Sequence, residues 1–337
     1  MNVFQLKSHI KAGAAPWLFL AATLVFCAFC LLISDIFVPF AAALLAIVWL
    51  TDRTDKRWIS LSLSALIVLA FLLVDPLAAV LALPIVIAAP ALAFCYARGI
   101  SKGECSLYLT LVFFLGSLFY LVLSICVSLD SFVFSDVLAY IESIFDDWKA
   151  QYVQTLMQSL EGTDVALGDM TEYIDTVFLA FYNLFPALVA ILGFFYAGLC
   201  LKVFTSMTQR IFVNARTRRD WRFLCSSVFG YFYLALFVLT FIFDGFDSTL
   251  SIALMNLYYV FLCVFGYLGV RHAFLFAART RNPALSRVLV IVFLVLGNVL
   301  TLQILSISGV LFSVINNKLP PVDGNGTSPD GRGGSTE

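Results

Sequence analysis

The sequence predicts an all-α protein: a polytopic transmembrane helix bundle of about nine spans, with an acidic amphipathic extracytoplasmic helix between spans five and six. Three observations lead there. Hydrophobic residues make up 62% of the chain and charged residues 12%, and the mean hydropathy is +0.99, far from the balance of a water-soluble domain. The apolar residues come in blocks near the length of about 20 residues that crosses about 30 Å of hydrocarbon. The short polar breaks between blocks alternate in charge.

A first span follows Lys7, His9 and Lys11 and runs to Ser34, too long for a cleaved leader. Asp35 makes a tip, and a second span covers about Ile36 to Leu50. Arg53, Lys56 and Arg57 precede a second hairpin, Trp58 to Val74 and Leu77 to Ala97, with its tip at Asp75-Pro76. Pro84 and Pro90 lie inside the fourth span, where each removes a backbone donor and bends the helix. Runs such as Leu61 to Val74 are apolar on all sides, which suits helices and not the alternating strands of a barrel.

After Arg98 and Lys102, a fifth span covers about Cys105 to Ser128. In the following segment, 129–175, Phe134, Val137, Leu138, Ile141, Phe145, Trp148, Tyr152, Leu156 and Leu160 recur at three- and four-residue spacing opposite Asp136, Glu142, Asp146 and Asp147. Binding to anionic lipid favours a basic polar face, so this acidic helix is expected to pack against its own protein. Gly162, Gly168 and the acids between them read as a loop.

The sixth span, about Thr176 to Ser206, holds Asn183 and Pro186 one turn apart. Lys202, Arg210, Arg216, Arg218, Arg219 and Arg222 surround the most basic connection in the chain. Spans seven, eight and nine follow at about Phe223 to Phe243, Leu250 to Ala277 and Val288 to Ile315, with Asp244 and Asp247 after the seventh and Arg279, Arg281 and Arg287 after the eighth. The chain thus divides into a five-span bundle (1–128), the amphipathic insert (129–175), a four-span bundle (176–315) and a disordered tail (316–337) rich in Pro, Gly, Ser and Asp. Basic residues collect before span one and after spans two, four, six and eight. The positive-inside rule then places the N-terminus in the cytoplasm and the C-terminus outside, in a multi-pass cell-membrane protein.

The eight cysteines fall in or at the ends of apolar runs, a setting for small apolar side chains rather than disulfides. Cys27 and Cys30 form a C-x-x-C inside a helix with neither a second pair nor nearby histidines, so no metal and no other cofactor is expected. No H-E-x-x-H, G-x-S-x-G or phosphate-binding glycine loop occurs, and an enzyme is not expected. The basic loop at Arg216 to Arg222 meets a topological demand, with phospholipid headgroups rather than nucleic acid as its anions. Lys202 and Arg271 read as side chains that snorkel to headgroups, with His272 beside them.

The polar residues at membrane depth are few: Asn183, Asn256, Asn298 and Gln303. Asn183 and Asn256 either hydrogen-bond across the bundle or line an outward-facing pocket roofed by the amphipathic helix, with Phe181, Tyr182, Tyr258 and Tyr259 as walls. On the second reading Asn183, Tyr182, Asn256 and Tyr259 are the ligand-binding residues. Small residues at four-residue spacing, Ala42 with Ala46 and Ala89 with Ala93, allow helices or a partner to approach closely.

The order of features resembles the YybS-like family of bacterial integral membrane proteins. The resemblance spans residues 10–315 and rests on the two N-terminal hairpins, the acidic insert, the run Tyr182-Asn183-Leu184-Phe185-Pro186-Ala187-Leu188, Trp221-Arg222 in a basic loop, and a later span with Asn256 and Gly266 to Gly269. It implies no catalytic residues. The N-terminal half looks like the small-molecule-binding membrane subunits of energy-coupling-factor vitamin transporters, which have six spans. The function expected is a non-catalytic, transporter-like or small-molecule-binding membrane subunit. The alternative is a structural or regulatory subunit acting through protein contacts. The partners expected are the bilayer, a small-molecule ligand and a membrane protein, with no nucleic acid.

Overall fold

The computed structural model describes residues 16–52, 57–159, 167–211, 226–243 and 248–316. Lys7, His9, Lys11, Arg53, Lys56, Gly162, the Arg216 to Arg222 cluster, Asp244, Asp247 and the tail lie outside these residues. Among the described residues the chain forms twelve α-helices and no strand, as the all-α expectation requires. Four helices are long and apolar enough to cross a membrane: α4 (Ala78–Arg98), α5 (Lys102–Leu129), most of α8 (Phe185–Ile211) and α10 (Thr249–Ala277). Shorter apolar helices are α1 (Pro16–Leu32), α2 (Val38–Thr51), α3 (Trp58–Val74), α9 (Ser227–Ile242), α11 (Pro283–Leu296) and α12 (Asn298–Asn316).

The α1–α2 tip is a single 3-10 turn, Asp35–Phe37, which starts where the Ser34 side chain accepts from the Ile36 N–H. Every residue from Ala41 to Val48 in α2 is buried, because α2 sits between α1, α4 and α8. The small side chains of Ala41, Ala42, Ala43 and Ala46 let three neighbours approach one axis. Ala89 and Ala93 of α4 are buried as well. The α2–α3 connection is held by Asp52, which is 7% exposed and accepts from the Ser60 N–H at 2.8 Å and the Ser60 Oγ–H at 2.9 Å. Its carboxylate thus occupies the positive end of α3. The α4–α5 connection turns at Gly99, whose φ of 73° favours glycine, and Ser101 accepts from the Glu104 N–H to start α5.

The amphipathic segment is helix α6 (Phe134–Ser159), with Val137 and Phe145 buried. It packs on α5 through Ile125, Cys126 and Val137 and on α7 (Leu167–Asn183) through an ion pair of Lys149 with Asp175 at 3.3 Å. Two expected spans are broken. The sixth consists of the end of α7 and α8, interrupted at Leu184, because Pro186 has no N–H for the preceding turn. The ninth is α11 and α12, interrupted at Gly297, the residue type with the least commitment to a helix apart from proline. The loop expected around Gly168 is instead the start of α7.

Besides the small α5–α6 cluster, two larger apolar cores form among the described residues. The first combines α1 to α5 with Tyr196, Ala197, Cys200, Leu201 and Phe204 of α8. The second gathers Tyr233 of α9, Tyr258 to Leu268 of α10 and Val310 of α12, with Leu107 of α5 and Phe194 of α8 packed against it. Helices α5 and α8 therefore face both cores. They come close enough that a Cβ on Gly193 would stand 3.0 Å from both the Phe114 nitrogen and the Thr110 carbonyl oxygen.

Candidate functional site

Asn256 and Asn183 do meet, but the amide of one meets the backbone of the other. Asn256 Oδ1 accepts from the Ala187 N–H at 2.8 Å, and Asn256 Nδ2 donates to the Asn183 carbonyl at 2.7 Å. In an uninterrupted helix those two backbone groups would bond to each other. The carboxamide is inserted into the broken rung beside Pro186 and supplies both missing partners. Asn256 Nδ2 also donates to the Ile252 carbonyl of its own helix at 2.9 Å.

Around this splice, Tyr182 stands edge-on to Phe145 of α6 at 5.7 Å, and Tyr259 stands edge-on to Tyr258 at 5.4 Å. Tyr258 is stacked on Tyr233 and accepts from Gln303 Nε2 at 3.0 Å, while Tyr233 shares a hydrogen bond with Ser306 Oγ. The four expected ligand residues thus lie in hydrogen-bonded and aromatic contacts that join α6, α7, α8 and α10. The side chain of Asn298 lies outside the described residues.

A cavity of about 460 Å³ lies elsewhere, between α5, α8 and α10. Helix α5 contributes Lys102 and, one turn on, Ser106. Helix α8 contributes Phe194, Gly198, Lys202 and Thr205. Helix α10 contributes Tyr267 and, one turn on, Arg271. Among the described residues the lining therefore holds three cations from three helices and no carboxylate. Gly198 helps to make the space: a Cβ there would meet nothing within 4 Å. Ser106 is 1% exposed, yet its Oγ has no hydrogen-bond partner among the described residues, a costly state for a buried hydroxyl. The rim is open on the flank of the bundle, where Phe195 is 63% and Tyr267 49% exposed.

The sequence treats Lys202 and Arg271 one at a time, as snorkelling side chains, and does not join them to Lys102 or Ser106. No periodic signal links positions so far apart on three helices. The only cue is that each helix places its cation at the end where the loop charges turn basic.

No curated protein and no solved structure matches the chain. These comparisons confirm neither the likeness to YybS-like proteins nor that of the N-terminal half to energy-coupling-factor subunits. Residues 19–311 match the family described as predicted membrane protein, DUF2232, and the chain, with its apolar helical bundle, belongs to that family.

Proposed function

We propose that this protein is a non-catalytic, transporter-like membrane subunit that binds a small anionic ligand in the cavity between α5, α8 and α10. The observation that carries the reading is the convergence of Lys202 and Arg271, with Lys102 beside them, on one cavity whose lining among the described residues includes no acid. Intramembrane or boundary cations that share a cavity repel one another unless an anion joins them, and such residues mark ligand paths. Among the described residues the lining offers positive charge and hydroxyls but no carboxylate or imidazole to move a proton. This favours binding over hydrolysis.

In this reading the chain crosses the membrane nine times, with α7–α8 and α11–α12 each counting as one crossing. The α6 helix lies on the outer side, the N-terminus is cytoplasmic, and the cavity opens near the inner leaflet, where basic residues collect. The alternative, a subunit acting through protein contacts, draws on the α6–α7 hairpin, where Trp148, Tyr152 and Tyr173 are each more than half exposed.

The test compares melting temperatures in neutral maltoside detergent with laurate and with dodecyltrimethylammonium added. The anion should stabilise the wild type and lose that effect in Lys202→Gln/Arg271→Gln. Equal shifts by the two amphiphiles, or a shift retained in the double variant, would overturn the reading.

A further inference from the structure

The opening of the cavity between α5, α8 and α10 sets the route by which a ligand can enter. Resting on the reading of that cavity as an anion site, we infer that it is loaded sideways from the membrane, through a portal between α8 and α10 that Gly198 keeps open. Its ligand is then a lipid-soluble anion rather than a water-borne one.

Gly198 is the first argument. On the same helix Gly193 is dictated by packing, since a Cβ there would stand 3.0 Å from the Phe114 nitrogen and the Thr110 carbonyl oxygen. At Gly198 the surface is exposed and a Cβ would meet nothing within 4 Å. Glycine weakens a helix interior relative to alanine, so α8 gives up stability at 198 without a neighbour that requires it. What the missing side chain provides is the gap itself, on the wall of the cavity.

The order of side chains along the two helices is the second. On α8, Phe195, Gly198 and Lys202 follow one another at three- and four-residue spacing and so share a face, and on α10 Tyr267 and Arg271 do the same. The two faces are level, because the Phe194 and Tyr267 rings meet edge-on at 6.0 Å. In the nine-span reading both helices run toward the cytoplasm. From the level of that ring contact, Arg271 lies about 6 Å and Lys202 about 12 Å nearer the inner surface. The portal therefore has its aromatic residues toward the bilayer centre and its cations toward the headgroups, the polarity of a lipid anion in the adjoining leaflet. Its rim is apolar, with Phe195 and Tyr267 exposed and Leu199 beside them. A hydrated ion gains nothing from such a rim, whereas an apolar chain is buried against it.

Laurate and butyrate share a carboxylate and differ in chain. Both are titrated against the full-length protein in dodecyl maltoside, with affinity read from the ligand-induced shift in melting temperature. Laurate should act at a concentration about tenfold or more below butyrate. Lys202→Gln/Arg271→Gln should abolish that advantage, which partitioning into the micelle alone would leave intact. Gly198→Leu, which fills the gap, should weaken laurate about tenfold with little effect on butyrate, and its melting temperature without ligand shows that it is folded. Phe195→Ser, at an exposed position on the rim, is the second variant and should weaken laurate severalfold. Equal potency of the two acids would overturn the lipid-soluble ligand while the anion reading stands. A laurate response untouched by both Gly198→Leu and Phe195→Ser would overturn the portal. Failure of both acids to shift the melting temperature would overturn the anion reading itself.

Discussion

Replacing Asn256 by leucine removes the carboxamide from the broken rung at Pro186. Two backbone groups then lose their partner: the Ala187 N–H, on a residue 2% exposed, and the Asn183 carbonyl. The Ile252 carbonyl loses only a second bond, since it lies within a continuous turn of α10. Two orphaned groups at about 1–3 kcal/mol each set an upper range of about 2–6 kcal/mol. Interhelical side-chain bonds in membranes average only about 0.6 kcal/mol, because the freed groups find other partners. An outcome near 2 kcal/mol follows, roughly a thirtyfold shift in the folding equilibrium. Equilibrium unfolding in mixed maltoside and dodecyl sulfate micelles would measure it. Asn256→Asp should be no milder, since a carboxylate keeps the acceptor for Ala187 but turns an oxygen toward the Asn183 carbonyl. The cause is isolated by Pro186→Ala, which restores the missing N–H and lets α7 run toward α8. Asn256→Leu should cost less in that background. If the two substitutions add within about 0.5 kcal/mol, or if Asn256→Leu alone leaves stability unchanged, the splice does not hold the helices together.

Other substitutions probe the parts of the fold around the cavity. Asp52→Ala removes the acceptor of two hydrogen bonds at the start of α3 and should cost about 2 kcal/mol in the same unfolding assay, with Asp52→Asn recovering most of it. Gly309→Leu places a side chain where α12 lies against α10. Its Cβ alone would overlap the Phe265 carbonyl oxygen and stand 2.9 Å from the Gly269 nitrogen. A loss of about 3 kcal/mol or failure to fold is expected. Gly198→Ala has the opposite sign: the added methyl meets nothing within 4 Å, and the helix gains about 0.5–1 kcal/mol. A destabilised Gly198→Ala protein would mean that the α8 face is already filled.

Local features were readable where one helix decides them alone. The apolar stripe from Phe134 onward places α6 almost to the residue, because its period depends only on backbone geometry. The tips at Asp35 and Asp75 are legible for the same reason: a polar residue between two apolar runs ends both. The breaks at Leu184 and Gly297 were not. An apolar run continues through each, and proline or glycine within a membrane helix bends it in some surroundings and breaks it in others.

The site was legible only in its parts. That helices bearing Asn183 and Asn256 bond to each other follows from the scarcity of amides in an apolar chain. That the bond runs to the backbone, as a splice at Pro186, depends on how α10 lies across the break. The cavity is a harder case, because Lys102, Lys202 and Arg271 are each ordinary at the end of a membrane helix. Their meaning comes from convergence, together with the absence of a Cβ at Gly198 and the stranded hydroxyl of Ser106, all products of the α5–α8–α10 packing.

The most direct test of the central claim is native mass spectrometry of the protein extracted gently from its own membrane, beside the Lys202→Gln/Arg271→Gln variant. The account predicts a small anionic molecule retained at one per chain by the wild type and absent from the variant. A protein partner retained stoichiometrically by both, with no small molecule on either, would contradict it and identify a subunit that acts through protein contacts.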